Sequence, residues 1–305
     1  MEKLPLSHYL KKISQQLLPI SKDHYLAEQY AWLLLAKLLN KTKTELIVQH
    51  SLTLTPEQNH ILKEWIQILV IKKMPIQYLL GSVQFADLEI LVEPPTLIPR
   101  PETEEWVMNI IDQLKKLKNQ HLRILDLATG SGCIALLFAH YLPHAHITAT
   151  DISLVALHLA QKNSAHNSLK NVTFIESDLF TAIPRTAAYD MIVSNPPYIA
   201  ESERTNLDAS VVQWEDERAL FAADNGLFLI KKIINKAPRY IKQNDEMKKH
   251  NIPQIMIEIG HTQANLVKNY MSAAHYNYVH IYKDTHMIDR VVAGRVDHVA
   301  DSSAQ

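Results

Sequence analysis

Hydrophobic positions along the chain fall into two regimes. Up to about residue 73 they recur at three- and four-residue spacing: Tyr9, Leu10, Ile13, Leu17 and Leu18, then Leu26, Tyr30, Leu33, Leu34 and Leu38. That spacing lines one face of successive helices. Thr55-Pro56-Glu57-Gln58 adds an N-cap, a proline suited to the first helical position and a capping-box glutamine, followed by Leu62, Trp65, Ile66 and Leu69 on one face. Residues 1–73 therefore predict a small helical bundle, and no pair of acids or histidines in it has a catalytic spacing. From Met74 the period shortens: Val83, Phe85, Leu88, Ile90 and Val92 fit short strands with a turn near Ala86-Asp87, and Pro94-Pro95 ends the pattern. Residues 74–95 read as a hairpin linker between two domains.

Beyond it, strands alternate with helices. Arg123–Leu127, His146–Asp151, Val172–Ser177, Asp190–Ser194 and Gln254–Ile259 read as strands, with helices at Ser131–Tyr141 and Leu154–Asn163. Such alternation predicts an α/β fold, a doubly wound sheet of mostly parallel strands. Tyr278–Lys283 and Arg290–Gly294 read as a closing antiparallel hairpin, and 296–305 as a frayed, disordered tail.

Composition narrows the class without naming a chemistry. At 47% hydrophobic and 21% charged residues over 305 positions, the chain reads as a globular protein of about two domains. Its one cysteine, Cys133, can form neither an internal disulfide nor a thiolate zinc site, which favours a cytoplasmic protein. The start has no apolar signal segment, and no apolar run is long enough to span a bilayer. A net charge of −1 weighs against a surface built to neutralise nucleic-acid phosphates. The 16 histidines are scattered with no His-Glu-x-x-His, so surface and packing roles are expected and no metal. Glycine is scarce, six in all, and two of the six, Gly130 and Gly132, share one loop.

That loop is the first candidate constellation. Asp126-Leu-Ala-Thr-Gly-Ser-Gly132 joins a strand to a helix, where backbone can approach a ligand closely, and the next strand ends in Asp151, placed to accept from ribose hydroxyls. With Ala135 three places after Gly132, the spacing alone leaves a dinucleotide possible. The second constellation, Asn195-Pro196-Pro197-Tyr198, follows another strand and so lies on the same edge of the sheet. Its prolines remove two donors and leave carbonyls free, so a carboxamide, a carbonyl and an aromatic face share one rigid turn suited to a flat NH2 group.

Together these residues resemble a known family. The loop with Asp151 is similar to the S-adenosylmethionine site of class I methyltransferases, and Asn-Pro-Pro-Tyr to the amino-group methyltransferases among them. Pro75-Ile-Gln-Tyr-Leu-Leu-Gly81, Thr96-Leu-Ile-Pro-Arg-Pro-Glu-Thr-Glu104 and Asp289-Arg290-Val291 resemble the release-factor glutamine methyltransferases, the PrmC/HemK family. The resemblance runs over nearly the whole chain from about residue 70. It implies a helical substrate-recognition domain at 1–73 and a methyltransferase domain at 96–295. The implied reaction is methyl transfer from S-adenosylmethionine, leaving S-adenosylhomocysteine, to N5 of the glutamine in the Gly-Gly-Gln motif of class I release factors. Carried over by residue, Ala128, Thr129, Gly130, Ser131 and Gly132 would hold the methionine and ribose end of the cofactor, Asp151 the ribose hydroxyls, and Asp178 with Leu179 the adenine. Asn195 and the Pro196 carbonyl would bind the substrate amide beside the cofactor, with Pro197 in the same turn and Tyr198 flanking it.

The chain departs from the family at three places. Ala128 stands where glycine is usual, so the turn has negative φ or carries strain. Asp216 replaces a usual proline, and Gln243–Asn251 is a polar insert. Glu102 and Glu104 either close over the cofactor's cation or cap the following helix. Cys133, at a helix start, is placed to be acidic, though packing beside the loop is its expected role. The alternatives are a DNA-adenine or rRNA-guanine amino methyltransferase, a ribosomal-protein glutamine methyltransferase, and a non-catalytic binding module. The leading reading expects no membrane and no direct nucleic-acid contact.

Overall fold

The computed structural model describes residues 3–118 and 121–296. The chain forms two compact units, 1–82 with 208–214, and 83–207 with 215–305. Most of the tail expected at 296–305 lies outside the described residues.

The first unit is helical, with helices Leu6–Ser21, His24–Leu39, Lys43–Gln49, Pro56–Ile71 and Ile76–Leu80. Local capping sets their starts. Asp23 accepts from the Tyr25 and Leu26 N–H groups, and Thr42/Glu45 and Thr55/Gln58 form reciprocal capping boxes. Leu10, Ile13 and Leu17 are buried as their spacing predicts. In His24–Leu39 the buried face is Ala27, Ala31, Leu34 and Leu35, while Leu33 is 43% exposed. That helix is apolar almost all round, so spacing alone did not fix which stripe turns inward. Two features had no sequence signal: a short pairing of Leu4–Pro5 with Ser51–Leu52, and helix Ala209–Trp214, contributed from far along the chain. The Trp214 indole N–H donates to the Lys72 carbonyl at 2.9 Å.

The second unit is built on a seven-stranded sheet. Its strands are β1 Arg123–Leu127, β2 His146–Asp151, β3 Val172–Glu176, β4 Met191–Ser194, β5 Ile255–Glu258, β6 Asn277–Lys283 and β7 Asp289–Arg295. In space the order is β6-β7-β5-β4-β1-β2-β3. β3, β2, β1, β4 and β5 run parallel, and β7 and β6 complete an antiparallel edge. β4 and β5 are buried along their whole length, as a sheet covered on both faces requires, while the edge strand β3 is partly exposed. One face carries Ile124, Ile147 and Val193 in a core with Trp106, Ile110 and Phe138, and the other carries Leu125, Ile192 and Ile257 with Ile230 and Ile233. A separate hairpin, Ser82–Phe85 with Leu88–Leu91, buries Phe85, Leu88 and Ile90 in the first of these cores.

Chain order reverses between β1 and β4, and in open α/β sheets ligands bind at the strand carboxyl ends at such a switch point. Here Leu127 lies opposite Ser194, and the Ser194 hydroxyl donates to the Leu127 carbonyl at 2.8 Å. The polar insert is ordered: helix Asp245–Lys249 starts at Asn244, whose amide donates to Asp190 Oδ1, and Met247 is fully buried. Among the described residues no helix is long and apolar enough to cross a membrane.

Candidate active site

Because β1 and β4 are neighbours in register, the loops that leave them start side by side. After β1 the chain turns at Ala128 with φ +57°, Gly130 with φ +57° and Gly132 with φ +84°. Ala128 therefore takes the strained alternative, since a Cβ in the left-handed region costs about 1–3 kcal/mol. Gly130 donates its N–H to Asp151 Oδ2 at 2.9 Å, and Asp151 Oδ1 accepts from Ser153 N–H at 2.8 Å. Burial holds the Asp151 carboxyl above the usual carboxylate range, against the pull of those two N–H groups. Gly132 serves close packing: a Cβ there would lie 3.0 Å from the Ala160 Cβ.

Beneath the loop, Asp126 is fully buried and Oδ2 accepts from the Thr129 hydroxyl at 2.6 Å. Burial pushes its carboxyl up to about 7. Asn163, also fully buried, donates to the Ser131 and Leu91 carbonyls and accepts from Leu91 N–H, tying the loop to the hairpin. Nothing in the sequence marked it, because a helical asparagine has no spacing signature.

An open cleft of about 260 Å³ lies along these strand ends. Ala128, Gly130, Asp151, Asp178, Leu179, Asn195 and Pro197 line it, together with Thr96 and Leu97, Ile152 and Val155, and Asp216, Arg218 and Leu229. Three carboxylates face one guanidinium, which Asp216 already pairs at 2.7 Å, and the walls are apolar. That lining of acceptors and apolar walls fits a ligand carrying a flat aromatic ring, hydroxyls and a cation, which are parts of S-adenosylmethionine. Thr129, Ser131 and Gly132 do not line the cleft; their side chains and amides shape the loop from behind. Pro196 and Tyr198 lie outside its lining as well.

Asn195–Tyr198 is held from several directions. The Asn195 Nδ2 donates to the Thr103 hydroxyl at 3.4 Å. The Tyr198 carbonyl accepts from Gln263 Nε2 at 2.8 Å, and the same amide nitrogen reaches the Asn225 carbonyl at 3.1 Å. Burial raises the Tyr198 phenol well above its usual range, with the Glu258 and Glu102 charges adding to it. Behind Thr103, Glu258 is buried and its carboxyl is raised by burial, opposed by bonds from Trp106 and Thr103.

The expected irregular residues resolve individually. Asp216 N-caps the short helix Glu217–Leu220, and its N–H donates to the Pro95 carbonyl at 2.6 Å, a bond that a proline could not make. Glu102 and Glu104 sit in the first turn of helix Pro101–Leu114, where their charge suits the helix dipole, and neither lines the cleft. Cys133 is not acidic: burial pushes its thiol up to about 12, outweighing its place at a helix start. Among the described residues no group of three or more histidine, cysteine or acidic side chains gathers as a metal site.

Comparison with known proteins adds to this geometry. The PrmC N-terminal domain family matches residues 9–81, and the methyltransferase small domain family matches residues 110–214. The release factor glutamine methyltransferase of Coxiella burnetii is 35% identical over 292 residues, covering 96% of this chain and 99% of that one. That of Thermodesulfovibrio yellowstonii is 36% identical over 239 residues, with 78% and 82% covered. Among solved structures, the hMettl16 catalytic domain in complex with the MAT2A 3′UTR hairpin 6 shares the fold, with a TM-score of 0.51 at 15% identity over 81% of this chain and 84% of that one.

Proposed function

The chain belongs to the release factor glutamine methyltransferase family, and from that premise we propose that its cleft brings S-adenosylmethionine against the Asn195–Tyr198 turn to methylate a release-factor glutamine. The observation that carries this assignment of parts is the pairing of Leu127 with Ser194, which starts the Ala128–Gly132 loop and the Asn195 turn at adjacent strand ends. The cofactor supplies an electrophilic methyl group on a sulfonium. Asp151 would accept from its ribose hydroxyls, Asp178 and Leu179 would border its adenine, and the loop backbone would hold its methionine end.

The acceptor is a poor nucleophile because its nitrogen lone pair is delocalised into the carbonyl. The same resonance sets the barrier of about 18–20 kcal/mol to turning a peptide C–N bond. In this reading the Asn195 Oδ1 and the Pro196 carbonyl accept from the glutamine NH2, turn it toward the cleft and stabilise the positive charge that builds on nitrogen. Each bond supplies roughly 1–3 kcal/mol. Fixing the nitrogen in a reactive orientation supplies up to about 7–11 kcal/mol, so positioning is the larger effect. No strong base is needed, and the proton leaves to water.

The glutamine belongs to the Gly-Gly-Gln motif of class I release factors, the work is cytoplasmic, and no nucleic acid or metal takes part. Incubation with labelled S-adenosylmethionine and a purified release factor tests the reading. Label is expected on the factor and not on one whose motif glutamine is changed to glutamate. Label that survives that change, or that appears instead on DNA or rRNA, overturns it.

A further inference from the structure

Asn195 can present its carboxamide in two ways, and only one of them serves the reaction. With Oδ1 toward the cleft it accepts from a substrate NH2; with Nδ2 toward the cleft, donor meets donor. A carboxamide is nearly symmetric in shape, so its own packing does not choose between the two. The choice has to come from a neighbour whose hydrogen-bonding direction is fixed.

Such a neighbour stands behind it. The Thr103 hydroxyl, 1% exposed, donates to Glu258 Oε2 at 2.7 Å. The same oxygen accepts from the Trp106 indole N–H at 2.8 Å, and an indole N–H can only donate. With Glu258 ionised, Oε2 has no proton to give and accepts from both. The single Thr103 proton is committed to it, and only hydroxyl lone pairs remain for Asn195. Asn195 therefore turns Nδ2 to Thr103, and its Oδ1 to the other side.

We propose that Thr103 and Glu258 are positioning residues for methyl transfer: the fixed donor direction from Trp106 and Thr103 into the buried Glu258 sets the Asn195 carboxamide so that its oxygen meets the substrate amide. The proposal rests on the reading of Asn195 as the acceptor of the substrate NH2. It concerns residues that touch neither substrate nor cofactor, and it gives helix Pro101–Leu114 and the end of β5 a part in the reaction.

Thr103→Val keeps the shape of the side chain and removes the hydroxyl. It is expected to lower kcat toward the release factor by about tenfold or more, the loss of one oriented bond. KM for the factor and affinity for S-adenosylhomocysteine, measured by calorimetry, are expected to stay within about threefold, at the low end of what one neutral bond is worth. Thr103→Ser restores the hydroxyl and is expected to restore kcat. Should the valine variant fail to bind S-adenosylhomocysteine and so report misfolding, Thr103→Ala, which adds no bulk, carries the same expectation. A hydroxyl-free variant that binds the product and turns over within twofold of the unsubstituted enzyme overturns the relay, as does a serine variant as slow as the valine one. Unsubstituted enzyme that leaves the release factor unlabelled overturns the functional reading itself, an outcome seen before any variant is made.

Discussion

The two halves of the cleft are built on different plans. The half proposed to hold the cofactor is the more local: Asp151 is tied to Gly130 over 21 residues and to Ser153 over two, with Asn163 bracing the loop against Leu91 across 72. The acceptor half is assembled from distant chain: Asn195 meets Thr103 across 92 residues, Thr103 meets Glu258 across 155, and Gln263 reaches the Tyr198 carbonyl across 65. The more local site depends mainly on its own strand–loop–helix junction. An assembled one needs the whole sheet in place, so faults far from it in sequence reach the chemistry. The contrast predicts that damage to the first half appears as lost affinity for cofactor, and damage to the second as lost turnover.

The sharpest test is Asn195→Ala. Removing an oriented acceptor is expected to lower kcat by about 10²–10³-fold, with affinity for S-adenosylhomocysteine changed only a few-fold. A labelled-methyl assay beside calorimetry reads both. An active variant would break the assignment of Asn195, and an equal loss in both quantities would erase the distinction between the halves.

Gly226→Ala tests the distant supports. At φ +82° a Cβ would lie 2.0 Å from the Tyr198 carbonyl oxygen and 2.7 Å from Gln263 Nε2, so the backbone of the turn has to move. Such overpacking costs about 1–3 kcal/mol of stability. A displacement of about 1 Å at a reacting group costs up to about 10²-fold in rate. Turnover is expected to fall toward that limit while cofactor affinity holds, with urea midpoints recording the stability loss. Unchanged turnover would show that the Tyr198 carbonyl tolerates displacement.

The same division explains what could be read from the sequence. The strand and helix alternation, the Ala128–Gly132 loop, Asp151 and the Asn195 turn are each marked by neighbours in the chain. Thr103, Asn163 and Glu258 were not marked as supports, because their value lies in partners brought close only by folding. Glu258 runs against hydropathy altogether: a buried acid at a strand end is intelligible once Trp106 and Thr103 are seen donating to it. Leu33 and Leu34 show the same limit in the helical unit, where an apolar helix gives no spacing cue to the face that Leu34 buries. The opposite case is Asp216, whose departure from the family pattern was visible but whose bond to Pro95 was not.

Asp151→Ala probes the local half. The carboxylate that would hold the ribose hydroxyls is lost, and the Gly130 and Ser153 N–H groups lose their acceptor. Calorimetry with S-adenosylhomocysteine is expected to show affinity weaker by about 10–100-fold, the worth of about one bond to a charged group. At saturating cofactor kcat should stay within a few-fold. A variant that binds normally but turns over slowly would reverse the contrast between the halves.

The smallest effect is expected at Ala128, the one residue of the loop whose conformation its own side chain opposes. Glycine would adopt φ +57° without the Cβ penalty, while adding freedom to the unfolded chain, so the two effects partly cancel. A strain of about 1–3 kcal/mol against an added entropy of about 0.4–1 kcal/mol leaves Ala128→Gly more stable by up to about 2.5 kcal/mol. Urea unfolding should show a higher midpoint at unchanged slope. Neither affinity for S-adenosylhomocysteine nor kcat should change by more than about twofold, because a Cβ in this turn is a local burden that the strand ends already carry. Lower stability in the glycine variant would mean that the alanine methyl packs well enough to repay its conformation, and the loop would then depend on side-chain contact as the acceptor half does.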